Sequence, residues 1–247
     1  FVVINIPQSN LTPHLVGRLK RAYVRSGQAS RPEVIVHPNN LPWLLDNRKK
    51  SQNLRHILID KAEAHFDNFL RAQNKNPQEV KGQVSLLLSP LYPQEPLTPY
   101  QNLPNFAKKI GLEGVKSSVQ DGLIVSLNKN ATTELNSYGL FLYKATLENN
   151  GQFPFKDFVE GFSTQLKFAT NFYKELGVIS PLILRLKIAR VRGLTIEIAD
   201  IKKEIVEDFL RLEQNINPID LQDNLCDIAR KILDEASWAL NIMPEYL

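Results

Sequence analysis

FKDFVEGFSTQLKFATNFYKELG, residues 155–177, is the stretch on which the fold class turns. Phe155, Phe158, Val159, Phe162, Leu166, Ala169, Phe172, Tyr173 and Leu176 recur at three- and four-residue spacing, so a helix collects them into one apolar stripe. Gly177 follows as a natural C-terminal cap. A stripe this aromatic reads as a core face rather than a ligand box, and it is expected to lie across a sheet.

Strands for that sheet stand on both sides of the helix in sequence. Gln83 to Leu91 is an apolar run, and Gly122 to Leu127 and Tyr138 to Leu147 are two more, with a polar turn expected over Asn128 to Asn136. After the helix, Leu182 to Val191 and Leu194 to Ile198 flank Arg192-Gly193 and read as a hairpin with a tight turn. Glu207 to Gln214 is a further strand. Asp220 to Asn241 closes the chain as an amphipathic helix with Leu221, Leu225, Ile228, Ala229, Ile232, Leu233, Ala236 and Leu240 inward. Strands and helices therefore alternate irregularly, giving an α+β fold. Pro90, Pro93, Pro96 and Pro99 cannot sit inside a helix or central strand, so that segment is an extended crossing, with Leu91, Tyr92 and Leu97 packing on the same domain.

Upstream the pattern is different. Phe1 to Ile6 is a β-branched apolar run ended by Pro7 and reads as a buried strand. Ala22 to Ser26 is a second strand, with Tyr23 and Arg25 on one side and Val24 on the other. From Asn40 to Asn74 the apolar spacing becomes helical, and the polar residues Lys50 to Asn53 suggest two helices separated there. Asn74 to Gly82 is the best linker. The expected divisions are thus 1–50, a helical connector 51–82, and an α+β unit 83–247.

With 247 residues, 43% of them hydrophobic, the chain can bury a real core. The longest apolar stretches fall short of the roughly 20 residues that span a bilayer, so no membrane partner is expected. Cys226 is the only cysteine, which excludes an intrachain disulfide and fits a reducing cytoplasm. The net charge of +4 is unevenly spread: Arg18 to His56 holds nine basic residues against Glu33 and Asp46, which leaves the remainder acidic. Such clustering is the footprint of a polyanion partner, and equally of a solvated basic face.

Recognisable catalytic chemistry is sparse. His14, His37, His56 and His65 lack metal-ligand spacing, no glycine-rich phosphate loop occurs, and no cofactor is expected. Cys226, beside apolar neighbours on a helix, reads as core rather than as a nucleophile. Glu204, Glu207 and Asp208 read as a solvated helix edge.

Four short motifs carry a family likeness: INIPQS (residues 4–9), Pro13-His14, YVRSG (23–27) and SRP (30–32). In this order and spacing they resemble the second half of the Schlafen-type AlbA-like domain, a hydrophobic strand running into a Pro-x-Ser turn and a Pro-His pair, then an aromatic strand ending in arginine and glycine. The likeness covers about Phe1 to Leu45. The remainder, with SLLLSPLYPQEPL and the Phe-rich helix, is similar to the region that follows this domain in bacterial proteins. The resemblance implies a partial AlbA/Schlafen-like half-domain followed by a mixed sheet-and-helix domain.

Since the metal-binding carboxylates of RNA-cleaving relatives lie in the domain's first half, the resemblance also implies that this chain is a fragment without nuclease activity of its own. The residues themselves allow a phosphate-contacting role: Gly27 can take a positive φ, Arg25, Arg31, Arg21 and Lys20 surround it, Tyr23 can stack on a base, and His14 and Ser9 can donate. Arg48, Lys49 and Lys50 extend the basic set. The bland reading stands beside it, in which Pro7, Pro13, Tyr23 and His14 merely fix a turn. The expected function is a nucleic-acid-binding or regulatory fragment, contacting DNA or RNA. The alternatives are a protein-interaction or oligomerisation module, and the non-catalytic half of a metal-dependent ribonuclease.

Overall fold

The computed structural model describes residues 15–16, 21–24, 33–34, 40–198 and 201–242. The expected strand over Phe1 to Ile6 lies outside them. Three short strands come first, β1 (Leu15–Val16), β2 (Arg21–Val24) and β3 (Glu33–Val34), paired antiparallel in the order β1-β2-β3. They precede α1 (Asn40–Arg71), one unbroken helix of 32 residues.

The expected break near Lys50 to Asn53 is therefore corrected, and the reason lies in where the polar residues point. Ser51 is buried and its hydroxyl donates to the carbonyl oxygen of Pro93, while Arg55 Nη1 donates to Leu91 O at 2.8 Å. The proline-rich segment has carbonyls with no strand partner, and buried carbonyls need donors. α1 supplies them from its polar stretch without leaving the helix.

A seven-stranded antiparallel sheet follows. It is built from β4 (Gln83–Pro90), β5 (Val115–Val119), β6 (Gly122–Asn128), β7 (Ala131–Asn136), β8 (Phe141–Thr146), β9 (Leu182–Ala189) and β12 (Phe209–Ile216), in the spatial order β12-β9-β4-β8-β7-β6-β5. The helix α2 (Leu103–Lys109) falls between β4 and β5, and α3 (Phe155–Leu176) between β8 and β9. Outside the large sheet, β10 (Thr195–Ile198) and β11 (Ile201–Glu204) pair with each other. The chain closes with α4 (Pro218–Asp223) and α5 (Leu225–Ala239), so the single C-terminal helix expected over Asp220 to Asn241 is interrupted at Asn224.

Two strand expectations change. The polar turn placed at Asn128 to Asn136 contains β7, all six of whose residues are buried; the turn itself is only Lys129-Asn130. Leu182 to Val191 and Leu194 to Ile198 do not form a hairpin with each other, because β9 has β4 on one edge and β12 on the other. The later segment must find its partner elsewhere, and it pairs with β11. The acidic cluster also moves: Glu204 ends β11 and Glu207 and Asp208 lie in the following loop, all exposed, rather than on a helix edge. Cys226 is exposed instead of core.

The aromatic helix does what its stripe requires. Phe158, Phe162, Leu166, Ala169 and Phe172 are at most 1% exposed and join Leu86, Leu88, Phe141, Leu184, Leu186 and Ile188 of the sheet in one core, to which α2 and α5 contribute Ala107 and Ile232. Each such leucine, isoleucine or phenylalanine contributes about 1.5–3 kcal/mol of burial. Two buried polar contacts fix its position, Thr133 Oγ1 donating to Gln165 Oε1 at 3.0 Å and the Tyr173 hydroxyl donating to Gly139 O at 2.8 Å. Gly177 ends the helix at φ 65°, a left-handed cap that a side chain would strain. The opposite face of the sheet receives α1, where Leu58, Ile59 and Ala62 pack on Leu87, Leu140 and Leu142 as a separate, smaller core.

Candidate functional site

Strand alternation decides what faces α1. Leu87 and Leu142 touch the helix, so residues two positions away on the same strands share that face. Register then gives two rows across the sheet. One runs Thr132, Lys144, Ser85, Lys187, Arg211, and the next runs Glu134, Leu142, Leu87, Arg185, Glu213. The first row brings three cations into one line, Arg211 directly opposite Lys187 and Lys144 one strand beyond across Ser85, which is repulsive unless carboxylates approach from elsewhere.

The carboxylates come chiefly from α1. Glu63 Oε2 lies 3.6 Å from Lys144 Nζ and 3.9 Å from Lys187 Nζ, and Asp67, one turn further on, adds its charge to the same place. Lys144 is buried, with its ammonium 4.8 Å from the centre of the Phe66 ring. Burial holds its pKa below the ordinary lysine value, while Glu63 and Asp67 oppose that shift. At the neighbouring row, Glu213 takes hydrogen bonds from Arg211 and from Arg185 Nε, the latter at 2.7 Å. Partial burial alone would raise the Glu213 carboxyl, but the two arginines outweigh it and hold the group below its usual range.

Between α1 and the sheet, these groups line an open cavity of about 460 Å³. Its walls include Glu63, Asp67, Ser85, Lys144, Lys187 and Phe209. Among the described residues no group of three or more histidine, cysteine, aspartate or glutamate side chains is placed to hold a metal ion. The cleft's chemistry is instead that of alternating ammonium and carboxylate groups over an aromatic ring.

One pair fastens the later part of α1 onto the sheet: the half-buried His65 Nδ1 and the buried Glu134 Oε2 are 3.0 Å apart. Burial raises the Glu134 pKa above its ordinary 4.5, and the hydrogen bond and charge of His65 offset only part of that. The folded state therefore binds this proton more tightly than the unfolded chain does. The associated stabilisation is fully present below pH 4.5 and is lost as pH rises through the elevated value. Glu134→Gln, which keeps an oxygen opposite His65, is expected to match the parent below pH 4.5 and to gain on it as pH rises from there, levelling off once the elevated value is passed. Thermal midpoints measured across that range check this, and a difference that stays constant with pH would contradict it.

The residues singled out from sequence are distributed unevenly. Ser9, His14, Lys20, Arg25, Gly27 and Arg31 lie outside the described residues, and Arg21 and Tyr23 sit on β2. Arg48 is half-buried on α1 with its guanidinium 5.1 Å from the Tyr92 ring centre. Lys49 is exposed, and Lys50 pairs across one helical turn with Asp46 at 3.0 Å, a surface pair worth about 0.3–0.5 kcal/mol.

No family model, curated protein or solved structure matches the chain.

The site's geometry centres on residues the sequence reading passed over, namely Glu63, Asp67, Lys144, Lys187 and Phe209. A signal for two of them was present. In LILRLKIA (182–189) Arg185 and Lys187 fall at alternate positions of an otherwise apolar strand, and Lys144 does the same in FLYKAT (141–146). Such a pattern marks a sheet face turned away from the main core. What it does not reveal is that three strands distant in sequence lie side by side.

Proposed function

We propose that this chain is the nucleic-acid-contacting or regulatory part of a Schlafen AlbA-like protein, in which the basic N-terminal segment grips phosphates and α1 couples it to the sheet. The observation that carries the reading is the charge. Nine basic residues against two acidic ones are concentrated between Arg18 and His56, and Lys49 and Lys50 are exposed on the first half of α1. Phosphate contacts of this kind position a strand without reading its sequence. The bonds from Ser51 and Arg55 to the proline-rich segment and from His65 to the sheet support the coupling role, since they tie the middle of α1 to the rest of the domain. Among the described residues no helix is long and apolar enough to cross a membrane. A cytoplasmic location belongs to the same reading, supported by the solitary cysteine.

The test is binding to single-stranded RNA and DNA at several salt concentrations. Charge reversal of Arg25 and Arg31 is expected to weaken binding by about tenfold or more and to flatten the salt dependence. Undetectable binding at low salt, or binding indifferent to the reversal, overturns the reading.

A protein-interaction module is the second reading, and one observation favours it. Val115, on the sheet-edge strand β5, is 71% exposed, and Trp238 on α5 is 72% exposed. Edge strands and large exposed apolar side chains invite partners. Light scattering that returns a strict monomer at all concentrations counts against self-association.

A further inference from the structure

The cleft under α1 holds two ammonium groups that meet their nearest carboxylate only at long range. Lys144 has a side chain only 8% exposed, yet its closest carboxylate oxygen, on Glu63, is 3.6 Å away, and Lys187 stands 3.9 Å from the same oxygen. Both separations exceed the 2.7–3.2 Å of an N–H···O hydrogen bond. Among the described residues no other acceptor is hydrogen-bonded to either ammonium. Each carries three N–H donors, and for the buried Lys144 a distant acceptor is costly, while Lys187 stays partly open to the cavity. Ser85 stands between them in the same cross-strand row, buried and lining the cavity. An oxyanion reaching the place where the two ammoniums converge would accept from both and from the Ser85 hydroxyl.

The rest of the cleft indicates what such an oxyanion is attached to. Phe209, 53% exposed, lines the cavity with its ring centre 5.7 Å from Lys187 Nζ, and a flat heterocycle can stack on an exposed aromatic face. Lys144, Lys187 and Arg190 are balanced by Glu63, Asp67 and Asp208 around the walls. A balanced lining disfavours a bare polyanion and suits a ligand that couples one anionic group to several hydrogen-bond donors. The volume of about 460 Å³ falls within the roughly 300–1,000 Å³ of small-molecule sites.

We infer that this cleft binds a nucleoside monophosphate, its phosphate between Lys144 and Lys187 at Ser85, its base against Phe209 and its sugar hydroxyls toward Asp67. Glu63 now occupies the approach to both lysines and competes with the phosphate. The inference goes beyond the polyanion reading and involves different side chains, so the failure of either leaves the test of the other readable.

Calorimetric titration of the full chain with adenosine 5′-monophosphate, inorganic phosphate and adenosine tests it. One molecule of the monophosphate is expected to bind per chain. Lys187→Met, at a side chain still about a third exposed, is expected to weaken binding at least about tenfold with the thermal midpoint retained. Glu63→Gln is expected to tighten it several-fold, a gain that a purely structural ion cluster would not give. Absence of binding at millimolar monophosphate, or an affinity unchanged in Lys187→Met, overturns the site. Equal affinity for inorganic phosphate, undiminished in Phe209→Ala, overturns the assignment to a nucleotide.

Discussion

Phe172→Ala is expected to lower the unfolding free energy by about 3–5 kcal/mol, the range for removing a fully buried phenylalanine from a packed core. The ring is 0% exposed and stands where three elements meet: edge-on to Phe106 of α2 at 6.4 Å, tilted against Phe141 of β8 at 6.4 Å, and 5.6 Å from Tyr173 on its own helix. Aromatic pairs of this geometry add roughly 0.5–1.5 kcal/mol beyond area burial. Collapse around the vacated volume is opposed by the two buried hydrogen bonds that hold α3, from Thr133 and from Tyr173. Urea denaturation measures the loss, and in a chain of this length it corresponds to about 6–20 °C in Tm. Phe172→Leu, which keeps most of the volume, is expected to cost much less. A loss below about 1.5 kcal/mol for alanine would mean that α3 can settle onto the sheet and is not clamped there.

The same helix shows which parts of the fold are legible in sequence. Its stripe repeats over six turns, so period alone identifies the element, its buried face and the Gly177 cap. β4 and β9 are legible because LLL and LILRLKIA are dense in apolar residues bounded by proline or turn signals. β7 is not, because ATTELN carries one leucine and two threonines; its burial comes from neighbours on both edges and helices on both faces, none of which a local window contains. β5, with VKSSV exposed at the sheet edge, has almost no hydrophobic signal to read. The supposed hairpin after β9 fails for a topological reason, since two non-adjacent strands had already claimed its edges. The unbroken α1 is hidden because Ser51 and Arg55, in and just after its polar stretch, satisfy carbonyls of a segment some 40 positions later, Pro93 and Leu91.

The candidate site follows the same logic. Basic clustering is a one-dimensional property and is visible in the chain, which is why the Arg18 to His56 excess stands out. A cross-strand row is two-dimensional. Lys144 and Lys187 are 43 residues apart and become neighbours of Ser85 only through the order β9-β4-β8, and Glu63 reaches them from a third part of the chain.

Ala62→Glu is expected to detach α1 from the sheet at a cost of about 3–5 kcal/mol, leaving the α3 side folded. Ala62 is 2% exposed, one turn from Leu58 and Ile59 and facing Leu87 and Leu142, with no cation among the residues of that cluster. A carboxylate there has no room among these apolar side chains, and the nearest cations on that sheet face, Lys144 and Arg185, are already paired with Glu63 and Glu213, so the alternative to burying it is to lift the helix. Detachment is local because the α1 cluster shares no residue with the larger core on the opposite face. Such sub-global opening is the ordinary behaviour of a unit whose apolar cluster is small and separate from the main core. Hydrogen exchange should then show amides of α1 losing protection together while those of β4, β8 and α3 keep theirs. Ile57→Glu, at a position 51% exposed on the outer side of the same helix, is expected to stay within about 0.5 kcal/mol of the parent. If Ala62→Glu instead removes protection from the α3 core as well, α1 and the sheet are one cooperative unit. A basic segment anchored on α1 would then sense the state of the whole domain rather than of one helix.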